Sequence, residues 1–245
     1  MRAIAEMPQQ VAADITVVLA DIDDTITTDG RLTAEAYTAL ENLHRAGIRV
    51  APVTGRPAGW CDMIARFWPV DGVVGENGAF YYAYDVVGKK MIRKHHDALE
   101  AHLKNPTRFE TIKKRIASEV PGAAISADQP FRLADLAVDF CEDVPALKPA
   151  DVAKIQAIFE QEGAIAKVSS IHVNGWFGVY DKLTMSRRFA ADILDLDIET
   201  QNASVMFVGD SPNDAPMFGF FNNSCGCLLY TSDAADDLLC VDLGG

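Results

Sequence analysis

Asp21 and Asp23, in Asp21-Ile22-Asp23-Asp24-Thr25, follow the apolar run Ile15-Thr16-Val17-Val18-Leu19-Ala20. That run reads as a buried strand, so the carboxylates sit where a strand gives way to a loop. In open α/β sheets chemistry collects at that edge. Two carboxylates two residues apart can flank one reacting group if the loop curls. Taken alone, the segment also reads as a solvated acidic turn.

Three downstream segments repeat the context. Ile48-Arg49-Val50-Ala51-Pro52-Val53 runs into Thr54-Gly55-Arg56-Pro57. Proline suits the first helical position, and a helix N-terminus offers free N–H groups to a phosphate. Thr54 adds a hydroxyl donor at the strand end; an ordinary polar cap is the other reading. Lys182 then heads a helix continuing through Ala190 and Leu194. A cation at a helix start opposes the helix dipole, a hint that it faces negative charge rather than solvent. Finally Ser204-Val205-Met206-Phe207-Val208 leads into Gly209-Asp210-Ser211-Pro212-Asn213-Asp214. Glycine there allows close backbone approach. A helix N-cap explains Asn213 or Asp214 but leaves Asp210 unexplained.

The elements that would position these groups alternate. After the first strand come a helix near 33–45, the Ile48 strand, a helix near 58–67 and a strand near Val73. A hairpin (80–84, 90–94), a helix near 108–120 and strands near 123–126 and 133–140 follow. A second helix near 149–162 and strands near 164–169 and 171–173 come next. Asn174-Gly175 reads as a hairpin turn, with Trp176 structural. Beyond the Asp210 strand, 217–221 reads as a helix and 224–228 as a short strand.

DxDxT, then a strand-terminal Thr, then Lys, then GDxxND, in that order, resembles the haloacid dehalogenase superfamily of phosphotransferases, over about Ile15 to Cys227. About a hundred residues separate the Gly75-Glu76-Asn77-Gly78-Ala79 turn from Lys182. That resembles the branch with a large α/β cap between the Thr and Lys motifs, which includes sucrose-phosphate phosphatase, mannosyl-3-phosphoglycerate phosphatase, the Cof-type sugar phosphatases and phosphomannomutase. The fold implied is α/β, a Rossmann-like, doubly wound, mostly parallel sheet with an inserted α+β cap. Residues 1–79 and 178–228 would form the core and 80–177 the cap.

The resemblance implies a Mg²⁺-dependent phosphomonoesterase acting on a small, sugar-like phosphate. Asp21 would be the nucleophile that becomes an aspartyl phosphate, and Asp23 the acid–base residue. Thr54, Gly55, Lys182 and Asn213 would hold the phosphoryl oxygens. Asp21, Asp23 through its backbone carbonyl, Asp210 and Asp214 would hold the metal. Glu76 and Asn77 would line the site mouth. A phosphomannomutase-type phosphomutase is the alternative, since it shares nucleophile and cap. A binding-only or inactive fragment is the remote one. Asp23 argues against dehalogenase chemistry, which needs no such acid–base group.

Composition fits an enzyme of this kind. The 245 residues, 49% of them hydrophobic, suffice for one large core and a smaller second one. A net charge of −13 argues against a nucleic-acid partner. No apolar run approaches the ~20 residues that span a membrane, and residues 1–13 lack a signal-peptide h-region; Met7 is an alternative start. Cysteines at 61, 141, 225, 227 and 240 form no even framework, so reduced thiols and a cytoplasmic location are expected. Nine of the 22 basic residues fall between Lys89 and Arg115, which reads as a solvated hairpin and helix face. His95-His96 has no third ligand at metal spacing. Residues 229–245 show neither the helix nor the final strand expected there. They read as a non-native tail replacing the true C-terminus.

Overall fold

The structure is a computed structural model, described here for residues 2–97, 106–227 and 240–243. Its strands are β1 (Arg2–Ala3), β2 (Val17–Ala20), β3 (Arg49–Pro52), β4 (Val73–Gly75), β5 (Phe80–Asp85), β6 (Lys90–His95) and β7 (Ala124–Ile125). They continue as β8 (Asp135–Asp139), β9 (Ile165–Val168), β10 (His172–Trp176), β11 (Val205–Gly209), β12 (Asn223–Gly226) and β13 (Cys240–Leu243). The helices are α1 (Gln9–Asp14), α2 (Ala34–Arg45), α3 (Ala58–Phe67), α4 (Phe109–Glu119), α5 (Pro149–Gln161), α6 (Lys182–Leu194) and α7 (Ala215–Phe220).

The main sheet has the order β1-β13-β12-β11-β2-β3, with β12, β11, β2 and β3 mutually parallel. A parallel bridge between Val53 and Val74 joins β4 to its far side. Helices link these parallel strands, and the central strands β2 and β11 carry no polar side chain, as a sheet covered on both faces requires. Leu19, Ala51, Val205 and Phe207 pack with Leu183, Met185 and Phe189 of α6 in one fully buried cluster. Strands β2, β3 and β11 therefore end side by side, and their C-terminal edge carries the acidic loops.

The sequence reading opens the cap at residue 80. In the structure the β5–β6 hairpin pairs with β4, and Tyr81 packs edge-on against Phe189 at 5.5 Å. Of segment 229–245, only 240–243 fall among the described residues. They form β13, antiparallel to both β12 and β1. Residues 228–239 and 244–245 lie outside the described part, as do 98–105 in the basic run. Elsewhere in that run Arg93 pairs with Asp62, Lys113 with Glu110, and Arg115 with Glu119 and Glu162.

A second sheet, antiparallel and ordered β7-β8-β10-β9, forms the roof. Strand periodicity of two divides its faces. Leu136, Val138 and Val173 point to α4 and α5, where Ile112, Ile116, Ile155, Ile158 and Phe159 complete a separate core. Asp135, Asp139, His172, Asn174 and Trp176 alternate with them and point the other way, towards the main sheet. Asn174-Gly175 is not a turn: both residues lie inside β10, paired with Ala137 and Leu136. Packing explains the glycine, because a Cβ at Gly175 would lie 2.1 Å from the Phe159 ring. Among the described residues, no helix is long and apolar enough to cross a membrane.

Candidate active site

Asp21 follows β2 directly. Its N–H donates to Val208 O at 2.8 Å, which ties it to β11, and its Oδ1 accepts the Ile22 N–H at 2.8 Å. Lys182 opens α6, capped by Asp181, whose carboxylate accepts the Thr184 N–H at 2.7 Å. The lysine is buried and its Nζ lies 2.8 Å from Asp21 Oδ2 and 2.7 Å from Asp214 Oδ1. Its awkward place against the helix dipole is thus answered by two carboxylates.

Asp214 closes a short 3₁₀ turn after β11. Ser211 caps that turn in a capping box. The other Asp214 oxygen accepts the N–H groups of Asp210 at 3.2 Å and Ser211 at 3.3 Å. Glycine at 209 is needed for this, since a Cβ there would lie 2.5 Å from Asp214 Oδ2. Asp210 is half-buried and accepts the Thr25 hydroxyl at 3.1 Å. One oxygen from each of Asp21, Asp210 and Asp214 lies within 4.8 Å of the others.

Burial pushes the Asp21 carboxyl well above the usual carboxylate range; Lys182 pulls it down and Asp214 pushes it further up. Burial, then the Asp214 charge, pushes Asp210 up to about 7. Burial works to lower the pKa of Lys182, but Asp21 and Asp214 outweigh it and hold the ammonium charged. One lysine thus faces three crowded carboxylates. Their hard oxygen donors fit a small divalent cation such as Mg²⁺, which would relieve the repulsion that raises them.

Asp23 is turned away from Lys182 and grips Arg56. The guanidinium Nε donates to its two oxygens at 3.0 and 2.9 Å, and Nη2 donates to Oδ1 at 2.7 Å. Arg56 also donates to Glu142 of the roof at 2.8 Å and lies 4.4 Å over the Trp60 ring. Burial tends to lower its pKa, but Asp23 and Glu142 outweigh it and raise it. Thr54 is fully buried, and its hydroxyl oxygen accepts the Arg56 N–H at 3.0 Å. Asn213 donates to Asn77 Oδ1 at 3.1 Å and accepts the Ser211 hydroxyl at 2.6 Å.

A small chamber of about 10 Å³ lies between floor and roof, lined by Asp21, Asp23, Gly55, Asn213, His172 and Asn174 among others. It opens, past Arg56, Ser170 and Ile171, towards an outer cavity of about 450 Å³ where Asp24, Thr27, Asp29 and Glu142 stand. The chamber holds about one water molecule. A larger group enters only if the roof shifts.

The structure brings Asp21, Asp23, Gly55, Asn213, Lys182, Asp210 and Asp214 to one place. Thr54 stands just behind them. Asn77 lines a second cavity of about 270 Å³ beside Lys182 and Asn213. Glu76 corrects the sequence expectation: it is not at a mouth but fully buried. Its carboxylate accepts the N–H groups of Ala58 at 3.0 Å, Leu133 at 2.9 Å and Asp135 at 3.2 Å, and that of Ala134 as well. Burial and the Asp135 charge push it up to about 7, against Arg132 and those N–H donors. Glu76 therefore pins the roof to the core, alongside Arg132, which donates to Gly55 O at 2.9 Å. Sequence reasoning missed Arg56, Glu142 and His172. Arg56 was in view beside Thr54 and Gly55; Glu142 and His172 carry no local signal.

A mostly parallel α/β sheet with carboxylates at neighbouring strand ends, a buried lysine between them and an antiparallel roof defines a capped Rossmann-like enzyme class. Residues 18–119 match the family model of haloacid dehalogenase-like hydrolases. No curated protein matches it in sequence. Among solved structures it is similar to a Thermoplasma acidophilum protein at 17% identity and TM-score 0.65, over 86% of this chain and 84% of that one. It is similar to a subclass IIB sugar phosphatase of the superfamily at 13% identity and TM-score 0.58, over 86% of each chain. The sucrose-phosphatase of Synechocystis sp. PCC6803, solved with sucrose and phosphate, aligns at 15% identity and TM-score 0.58, over 86% of this chain and 80% of that one.

Proposed function

We propose that the protein is a Mg²⁺-dependent phosphomonoesterase acting on a small, sugar-like phosphate in the cytoplasm. One observation carries the reading. The Asp21 carboxylate stands at a strand end, aligned by Lys182, with Asp23 two residues on and a small roofed chamber above. Sugar phosphatases among the structures of the same fold support the substrate class.

Asp21 attacks the phosphorus, forming an aspartyl phosphate and releasing the alcohol. Asp23 protonates the leaving oxygen, then takes a proton from the water that cleaves the acyl phosphate. Covalent catalysis splits one difficult displacement into two, and a single acid–base group serves both halves. Lys182, Asn213, Thr54 and the Gly55 backbone are the phosphate-side groups. Lys182 neutralises charge on the transferring phosphoryl oxygens and keeps Asp21 oriented. Asp21, Asp210, Asp214 and the Asp23 carbonyl would hold the cation, which when bound draws phosphoryl charge away from the anionic floor. Closure of the roof excludes bulk water from the chamber and sets the proton-transfer geometry.

A panel of phosphorylated metabolites, assayed for phosphate release with Mg²⁺, tests the reading. Hydrolysis of at least one sugar phosphate, abolished by Asp21→Asn, is expected. No release from any member of the panel would overturn it.

A further inference from the structure

We propose that Glu142, on the roof, is a positioning residue that works through Arg56 to hold Asp23 in place for proton transfer. The inference rests on the reading of Asp23 as the acid–base group.

Glu142 is built to meet Arg56. It follows β8 in a tight loop whose shape is set by the Asp139 carboxylate. That carboxylate accepts three successive N–H groups, of Cys141 at 2.9 Å, Glu142 at 2.8 Å and Asp143 at 2.8 Å. The loop aims the Glu142 side chain at the floor. One carboxylate oxygen takes the Arg56 Nη2 at 2.8 Å, and the other lies 2.9 Å from His172 Nε2 on the neighbouring strand. His172 and Arg56 together hold Glu142 charged, at a pKa of about 2, against the cost of its burial.

Arg56 in turn is the only group, among the described hydrogen bonds, that grips the Asp23 carboxylate. Its planar fork lies against the Trp60 ring, and Nη2, which donates to Asp23, donates to Glu142 as well. Arg56 belongs to the core and Glu142 to the roof. The fork is therefore fully braced only when the roof is seated. Glu142, Arg56 and Asp23 form one hydrogen-bonded chain from the roof to the acid–base residue. Such a chain makes proton transfer efficient only around an enclosed substrate. An unbraced Asp23 would be left in a range of orientations, and general acid catalysis, worth about 10²–10⁴-fold, is sensitive to that geometry.

The test compares two esters of nearly equal shape, phenyl phosphate and p-nitrophenyl phosphate, in single turnover with Mg²⁺. The nitrophenolate leaves without help; phenolate needs a proton. Glu142→Ala should slow phenol release roughly tenfold and nitrophenol release less than about threefold, since only the first depends on the acid. KM should stay within about twofold for both esters. Glu142→Gln, which keeps an oxygen acceptor for Arg56, should recover most of the loss. On an Asp23→Asn background Glu142→Ala should cost nothing further. Equal slowing of the two esters, an effect confined to KM, or an undiminished loss beside Asp23→Asn would overturn the proposal while leaving the phosphatase reading intact. An effect confined to KM would show that Glu142 touches substrate. If the parent protein released neither alcohol and no phosphate from any member of the metabolite panel, the phosphatase reading itself would fall, and this inference with it.

Discussion

Replacing Lys182 with methionine removes the one cation buried between Asp21 and Asp214, 2.8 and 2.7 Å from their oxygens. Methionine keeps the length and most of the volume of the stem, so packing is nearly preserved and the change reads charge. Breaking a buried pair by removing one partner costs about 3–5 kcal/mol, because the other charge is left uncompensated. Here two carboxylates are stranded, but Asp21 is already driven upward by burial. It escapes by taking a proton, which caps the loss near the lower end, about 3 kcal/mol. For a chain of this size that is roughly a 6–12 °C fall in melting temperature. Calorimetry at pH 7 in EDTA reads it directly. The gap between variant and parent should shrink at pH 5, where the stranded carboxylates protonate more readily. It should also shrink when Mg²⁺ is added, because a bound cation replaces the missing charge. A fall under about 2 °C at pH 7 in EDTA would refute the reasoning, since a lysine worth so little cannot be the buried counter-charge of two carboxylates.

Other expectations follow from the same structure. Without metal, stability should decline as pH rises from 5 to 8. Glu76 and Asp210, both pushed up to about 7, keep bound in the fold protons that the unfolded chain gives up near the ordinary carboxylate range. Their stabilising contribution is complete below that range and lost through about 7; melting curves in EDTA that rise across this window would contradict it. Glu76→Ala should strand several buried N–H groups at about 1–3 kcal/mol each and loosen the roof, seen as faster limited proteolysis within 80–177. Gly175→Ala should cost about 1–3 kcal/mol through overlap with Phe159, measurable by urea denaturation. Excess EDTA should abolish turnover, with Ca²⁺ a poor replacement because it prefers looser and higher coordination; full activity in EDTA would remove the metal from the account.

What the sequence makes legible is what local structure dictates. Asp21, Thr54 and Asp210 each close an apolar run, so their place on one sheet edge follows once the runs are read as neighbouring parallel strands. Lys182 gives itself away by standing against its own helix dipole. Long-range pairing leaves no such trace. Glu142 reaches Arg56 across 86 positions, and nothing in either segment announces the other. Glu76 misleads for a related reason. It stands at a strand end like the site residues, but it and Asn77 have φ values of 43° and 55°. That left-handed turn sends its carboxylate into the roof instead of the chamber. Asn174-Gly175 has the composition of a turn and the conformation of a strand, because Phe159 needs the space a side chain would fill. The β13 strand is set by pairing to β12 and β1; its short run, Cys240-Val241-Asp242-Leu243, offers little alternation on its own.

Asp21 is the group proposed to receive the phosphoryl. The most direct measurement is acid quenching of the protein during turnover of an accepted phosphate ester, followed by peptide mass mapping. A phosphoryl group on the peptide carrying Asp21, absent from the Asp21→Asn protein and from protein without substrate, is the predicted result. Turnover by the parent with no phosphoryl on that peptide, together with Asp21→Asn activity within about tenfold of the parent, would contradict it.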